Sequence, residues 1–249
     1  MIIAQISDTH IALDTEDSER RIEDFKTTIR HINALDPKPD VIVHTGDIVQ
    51  NGLPQEYEVC RDILMEATVP VYLMVGNKDD RANLRAVFHR AAYLNDGDGF
   101  ISYAVDGYPL RLIMLDTLNP GSRKGDFCQQ RIAQLSEMLD ASPDKPTLVF
   151  AHHPPFLVQE GPEPLHFETP EIMEQFRHHL GKHEQVLALC CGHVHRGVSG
   201  ELGAKPIFVM PCIATSLRRG DYPSQLEDRP IYHIHRYGMG ELTTEAVVV

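Results

Sequence analysis

No stretch of this 249-residue chain approaches the ~18 uninterrupted apolar residues that a membrane-spanning helix requires, so a bilayer-embedded protein is set aside. The opening Met1-Ile2-Ile3-Ala4-Gln5-Ile6-Ser7-Asp8 lacks a basic segment and turns polar within eight positions. It reads as a first strand rather than a secretory signal. Cysteine is scarce and odd in number. Five residues, two of them adjacent as Cys190-Cys191 in an apolar run, suggest no disulfide framework, and a reducing cytoplasm is the expected compartment. Positive charge is in deficit: 23 Lys and Arg stand against 36 Asp and Glu, a formal net charge of −13. That balance disfavours binding to nucleic-acid polymers or anionic membranes. Internal repeats, low-complexity tracts and a dividing linker are also missing, so residues 1–249 are expected to form a single domain.

What remains is an ordinary globular composition, 42% hydrophobic and 24% charged, with an unusual 14 histidines. Short β-branched runs alternate with stretches of helical spacing. Strands are expected at Ile2–Ile6, Val41–His44, Val71–Val75, Leu148–Ala151 and Val186–Cys190, with a hairpin across 100–118 turning at Asp106-Gly107. Helices are expected at Arg21–Leu35, after Pro54, around Ala82–His89, at Gln129–Leu139 and at Pro170–Leu180. After Gly192 the pattern changes to short β runs at Ile207–Met210, Ile231–His235 and Leu242–Val249. The expectation is an α/β core with a second set of strands packed against it, a layered sandwich with outer helices. Gly161–Pro170, with three Pro and a Gly, reads as a surface loop.

The unusual residues follow the strands. Ser7-Asp8-Thr9-His10, Gly46-Asp47, Gly76-Asn77-Lys78-Asp79, His152-His153-Pro154-Pro155 and Gly192-His193-Val194-His195 each close an apolar run. In an open α/β sheet the carboxyl ends of the strands line one edge, where ligands bind, so five distant segments can converge. Asp8, His10, Asp47, Asn77, His152, His193 and His195 supply carboxylate, amide and imidazole donors without thiolate, a set suited to Mn, Fe or Zn. Seven donors exceed the needs of one tetrahedral ion and fit two divalent ions sharing a carboxylate, the arrangement typical of phosphoryl hydrolysis.

Asp8-x-His10, Gly46-Asp47-x4-Gly52, Gly76-Asn77-x-Asp79, His152 and Gly192-His193-x-His195 together resemble the calcineurin-like metallophosphoesterases across nearly the whole chain. Within them, Ser7-Asp8-Thr9-His10, Gly46-Asp47-Ile48-Val49, His152-His153-Pro154-Pro155 and Leu242-Thr243-Thr244-Glu245 are similar to the bacterial class III phosphodiesterases, which act on cyclic AMP and glycerophosphodiesters. The resemblance implies an α/β/β/α sandwich and a ligand partition. One metal takes Asp8, His10, Asp47 and His195; the other takes Asp47, Asn77, His152 and His193, with Asp47 bridging. A water or hydroxide between the ions attacks the phosphorus of a small phosphodiester. The resemblance also admits a homodimer or higher homo-oligomer, with no readable interface. Gln50 stands where purple acid phosphatases place a Tyr ligand, and the Asp-Arg-Gly of protein phosphatases is missing.

One position departs from the family. Lys78 replaces the His of Gly-Asn-His-Asp, which binds the phosphate and protonates the leaving oxygen while the next Asp, here Asp79, orients it. A lysine is a flexible point charge, not a planar ring. Three readings stay open: Lys78 as a working electrophile, altered substrate use, or a metal-binding regulatory module with little catalysis. A phosphomonoesterase acting on nucleotides is the rival enzyme. His153 stands between an outer-shell and a phosphate-facing role. His31, His44, His89, His166, His178, His179, His183, His233 and His235 are expected on the surface or packed in strands. Arg81, Arg123, Lys124, Arg218 and Arg219 follow or lie near the proposed site loops; each taken singly is expected to face solvent, with a substrate-facing cation among them as the alternative.

Overall fold

A computed structural model describes residues 1–94, 99–159 and 163–249. In chain order the regular elements are β1 (Ile2–Ile6), α1 (Ser18–Ala34), β2 (Val41–His44), α2 (Pro54–Leu64), β3 (Val71–Leu73), α3 (Arg81–Val87), β4 (Tyr103–Val105) and β5 (Arg111–Leu115). There follow α4 (Gln129–Asp140), β6 (Thr147–Ala151), α5 (Pro170–Gly181), β7 (Val186–Cys191), β8 (Val198–Leu202), β9 (Lys205–Val209), β10 (Ile231–Gly238) and β11 (Glu241–Val248).

Two mixed sheets result, ordered β11-β10-β1-β2-β3 and β4-β5-β6-β7-β9-β8. The parallel ladders β1–β2–β3 and β5–β6–β7–β9 lie within them. The late strands do not form the separate set expected from the change of pattern after Gly192. β8 and β9 extend the second sheet, while β10 lies antiparallel on β1 with Ile3 opposite His235. The physical reason is edge coverage: β1 would otherwise present an unpaired backbone edge, and β10 satisfies it. β8 escaped the sequence reading because Val198-Ser199-Gly200-Glu201-Leu202 is a half-exposed edge strand with an interior glycine.

Side-chain alternation assigns the layers. In β5, β6 and β7, Leu112, Met114, Leu148, Phe150, Ala188 and Cys190 join a core with residues of β1 and β2 and of α1 and α2, including Ile3, Val41, Phe25 and Tyr57. The intervening Ile113, Leu115, Val149, Ala151, Leu189 and Cys191 join a second core with Leu135 and Leu139 of α4 and Phe176 and Leu180 of α5. A strand's period of two sends successive residues to opposite faces, so each face of the second sheet serves a different core. The layers run helix, sheet, sheet, helix. Cys190 and Cys191, adjacent in sequence, are fully buried on opposite faces.

Thr169 caps α5 by accepting from the Ile172 amide, with Pro170 in the first turn. The segment before it is less solvated than expected of a surface loop. Phe167 is fully buried, and Gly125 pairs with this strip, donating to the His166 carbonyl at 2.9 Å. The start of the loop, residues 160–162, lies outside the described residues.

His235 illustrates the interlayer core. Its Nε2 faces Gln5 Oε1 at 3.0 Å and its Nδ1 faces Thr244 Oγ1 at 2.8 Å, beside the Phe150 and Phe208 rings. Burial, and secondarily His233, pushes its pKa down to about 3. In the unfolded chain the ring titrates near ~6.5, so the unfolded state binds the extra proton between these values. The folded state therefore loses up to about 1.4 kcal/mol per pH unit from this ring as pH falls below ~6.5. Urea unfolding of metal-free protein at pH 6.5, 5.5 and 5.0 is expected to show that slope reduced by about one proton in His235→Gln; an unchanged slope would refute the assignment.

Candidate metal centre

β1, β2, β3, β6 and β7 all end on one edge of the molecule, and the loops leaving them are stitched together. The Asp8 amide donates to the Gly46 carbonyl and the His10 amide to the Asp47 carbonyl, each at 3.0 Å. The Gly192 amide donates to the His152 carbonyl at 3.1 Å. The Lys78 amide donates to Asp47 Oδ1 at 2.8 Å, and the His193 amide to Asp8 Oδ2 at 3.0 Å. Five non-glycine residues of these loops occupy the left-handed backbone region: Asp8 (φ 54°), His10 (44°), Asp47 (50°), His193 (72°) and His195 (62°). Each such conformation costs on the order of 1–3 kcal/mol. Among the described residues Met239 is the one other non-glycine there, so the strain is concentrated where the sequence places its donors.

The donors form two groups. Asp8, His10, Asp47 and His195 present ligand atoms all within 4.8 Å of one another, as do His152, His153 and His193. Asp47 faces both: Oδ2 lies 3.5 Å from His10 Nε2 and Oδ1 lies 3.4 Å from His152 Nε2. Outer contacts orient the rings. His10 Nδ1 meets Gln50 Oε1 at 3.0 Å, His152 Nδ1 meets the Thr45 carbonyl at 2.8 Å and His195 Nδ1 meets the Leu217 carbonyl at 3.1 Å. These oxygens are acceptors, so each Nδ1 carries a proton and each Nε2 is the ring nitrogen that faces the site. Gln50, which is not one of the seven proposed ligands, thus holds His10.

Divalent cations fit this arrangement. His10 Nε2 and His195 Nε2 stand 2.9 Å apart, a meeting of lone pairs that a shared proton or a cation lying against both relieves. Asp8 Oδ1 is 3.3 Å from His195 Nε2 and 3.7 Å from His10 Nε2. The buried Asn77 Oδ1 and His152 Nε2 have no hydrogen-bond partner, and an unpaired buried acceptor is costly. The carboxylate, imidazole and amide donors suit borderline divalent ions.

The local field is steep. Burial raises the Asp8 pKa, but the neighbouring His10, His195 and His152 rings outweigh it and hold the carboxyl well below the usual range. Burial opposes ionisation of Asp47 too, yet the His152 charge brings it down to about 2. Burial disfavours protonated His152, and the Asp47 carboxylate overcomes this to raise it to about 9. His193 is depressed by burial and then by His153 and His152.

Asp79 is spent on the loop itself. Its carboxylate accepts from the Gly76 amide at 2.8 Å, the Tyr57 hydroxyl at 2.9 Å and the Ile48 amide at 3.2 Å. Burial first, and the Asp47 charge second, lift its pKa to about 7. Lys78 and Asn77 instead line a cavity of about 400 Å³ that opens over His10, Asp47, His193 and His195.

Several neighbours differ from expectation. His166 is not a surface or strand residue: it lines the cavity, its buried Nε2 is unpartnered and its ring centroid lies 5.0 Å from that of His193. No local pattern marks it, because Gly125 pairing draws it in. Arg81 is not solvent-facing either, clasping the buried Asp116 at 2.6 and 2.7 Å. Arg218 lies over Tyr222 and donates to the Leu226 and Arg229 carbonyls. Arg123, Lys124 and Arg219 line the cavity, joined by Arg196, which sequence reasoning missed. His153 Nδ1 meets Thr117 Oγ1 at 2.7 Å, and its buried Nε2 has no partner.

Fold and site together describe a binuclear phosphoesterase, and comparison with known proteins agrees. The profile of the calcineurin-like phosphoesterases matches residues 1–197, and the chain belongs to that family, whose members use a binuclear divalent metal centre. It is 35% identical over 244 residues to a probable glycerophosphodiester phosphodiesterase of Arcobacter nitrofigilis, covering 94% of this chain and 88% of the relative. It is 24% identical over 248 residues to a 3',5'-cyclic adenosine monophosphate phosphodiesterase of Vibrio vulnificus, covering 98% and 88%. A dimetal phosphatase of Danio rerio shares the fold, with a TM-score of 0.74, 17% identity and coverage of 99% of this chain and 95% of that one. No helix among the described residues is long and apolar enough to cross a membrane.

Proposed function

We propose that residues 1–249 form one metallophosphoesterase domain that hydrolyses small phosphodiesters, glycerophosphodiesters or cyclic nucleotides, in the cytoplasm. Asp8, His10, Asp47 and His195 hold one divalent ion; Asp47, Asn77, His152 and His193 hold the other. The observation that carries this is the inward convergence of His10 Nε2 and His195 Nε2, 2.9 Å apart with both Nδ1 atoms committed elsewhere. The relatives named as glycerophosphodiester and cyclic-nucleotide phosphodiesterases support the substrate class, and five free thiols suit a reducing compartment.

When bound, two divalent ions supply a water of lowered pKa and offset charge on the phosphoryl oxygens. The chain's own residues do the rest. Water adds across one P–O ester bond to give a phosphomonoester and an alcohol, the proton passing to the leaving oxygen. Lys78, on the cavity wall, places its cation on the phosphate or the leaving oxygen. Asp79 positions the 76–79 loop. Gln50 holds the His10 ring in register.

Metal-reconstituted protein is expected to cleave bis-p-nitrophenyl phosphate, cyclic AMP or glycerophosphoethanolamine. Cleavage of monoesters alone would replace this reading with a phosphomonoesterase, and metal binding without hydrolysis would leave a regulatory module. Lys78→His separates the lysine's roles. A p-nitrophenolate leaves unaided, whereas a glycerol-type alkoxide needs a proton. The variant is therefore expected to raise kcat at least ~10-fold on glycerophosphoethanolamine while staying within ~3-fold on bis-p-nitrophenyl phosphate. Equal changes on both would assign Lys78 to phosphate binding alone.

A further inference from the structure

The cavity above the metal centre reverses the charge of the molecule. The chain carries 23 cationic side chains against 36 anionic ones, yet the charged residues lining the cavity are Lys78, Arg123, Lys124, Arg196 and Arg219 against Glu163 and the proposed ligand Asp47. Cations are a minority over the whole chain and a majority among the described residues that line the cavity. Among the described residues Lys124 is loosely paired, its Nζ 3.9 Å from Glu163 Oε2.

These cations are carried by separate loops that the fold fixes in place. The 122–126 loop, bearing Arg123 and Lys124, is pinned by Gly125, whose backbone bonds the 166–168 strip at 2.9 and 3.0 Å. Gly125 also lies so close to His153 that an added Cβ would stand 2.7 Å from its Nδ1. The loop bearing Arg219 is tied down by its own amide, which donates to the His195 carbonyl at 2.9 Å. Arg196 lies against Gly220, where an added Cβ would meet its Nε at 3.0 Å.

The scissile group does not account for this much charge. Two divalent ions set against the Asp8 and Asp47 carboxylates and a hydroxide would leave a net charge of +1 at the centre, which a monoanionic phosphodiester already balances. Lys78 aside, Arg123, Lys124 and Arg219 less Glu163 add +2 around a cavity of about 400 Å³, and a concave site focuses such a field on what enters it. A glycerophosphoethanolamine, with a cationic amine, or a cyclic nucleotide, with no second anion, leaves these side chains unmatched. Resting on the phosphodiesterase reading above, we propose that the preferred substrate is a small phosphodiester that carries a second phosphate group, seated by Arg123, Lys124 and Arg219 at the rim while the scissile diester sits at the metal centre. The net charge of −13 then repels polyanionic polymers at large while the cavity admits small ones.

The test compares two product-like probes by calorimetry on protein reconstituted with manganese: AMP, with one phosphate, and adenosine 3',5'-bisphosphate, with two. A second phosphate without a subsite improves affinity about twofold, by statistics alone. The expected result is an affinity ratio of about 10 or more at low salt, falling below 3 in the double variant Arg123→Gln/Lys124→Gln and reduced in Arg219→Gln. A ratio below 3 in the unaltered protein, or one that survives both variants, overturns the proposal. The phosphodiesterase reading fails separately, through an absence of diester hydrolysis by the same reconstituted protein, whatever the binding ratio.

Discussion

Asp47→Asn is expected to lower kcat/KM for bis-p-nitrophenyl phosphate by at least ~1000-fold while leaving the protein folded. The amide is isosteric and keeps an oxygen for the Lys78 amide, now 2.8 Å from Oδ1, so the 76–79 loop is retained. What disappears is charge. The two Asp47 oxygens face His10 on one side and His152 on the other, so one substitution weakens both proposed metal positions. It also removes the carboxylate that raises His152 to about 9. Metal content after dialysis should fall from two ions per chain to one or none. Retention of two ions with full activity would remove Asp47 from the bridging role.

Gly192→Ala should act nearly as strongly, although it touches no donor atom chemically. A Cβ at Gly192 would stand 2.0 Å from Ser7 Oγ and 2.5 Å from Asp8 Oδ2. Neither contact is tolerable, and the Asp8 carboxylate is also the acceptor for the His193 amide, so it cannot retreat without loosening the neighbouring loop. We expect metal affinity to fall ~10- to 100-fold and stability by about 1–3 kcal/mol, read from metal titration and urea unfolding. A variant with unchanged affinity would mean that Asp8 relaxes freely, against the packing described.

The convergence of the proposed metal donors was legible in the sequence because each follows an apolar strand within a few residues, and parallel strands bring their carboxyl ends to one edge. The role of Gly76 was not legible: a Cβ there would meet Asp47 Oδ1 at 2.3 Å, a close approach that exists only once the two loops have come together. His166 was not legible, since its place depends on a two-residue pairing with Gly125 far from any motif. Arg81 hid for a similar reason: its partner Asp116 ends β5, the strand of the second sheet whose polar terminus was not read as part of the site. The split of the late strands between two sheets was illegible because short β runs carry no label for the edge they will join.

The alternation that sends Phe150 and Cys190 inward also makes the interlayer core a spacer. Asp8, His10, Asp47 and Asn77 hang from the first sheet, whereas His152, His193 and His195 hang from the second. Metal ions held by both would rivet the layers across a seam. The thickness of the hydrophobic filling then acts as a shim that sets the distance between the two halves of the site. Changes in side-chain volume at Phe150 or His235, with no path to the substrate, should therefore register as changes in metal affinity.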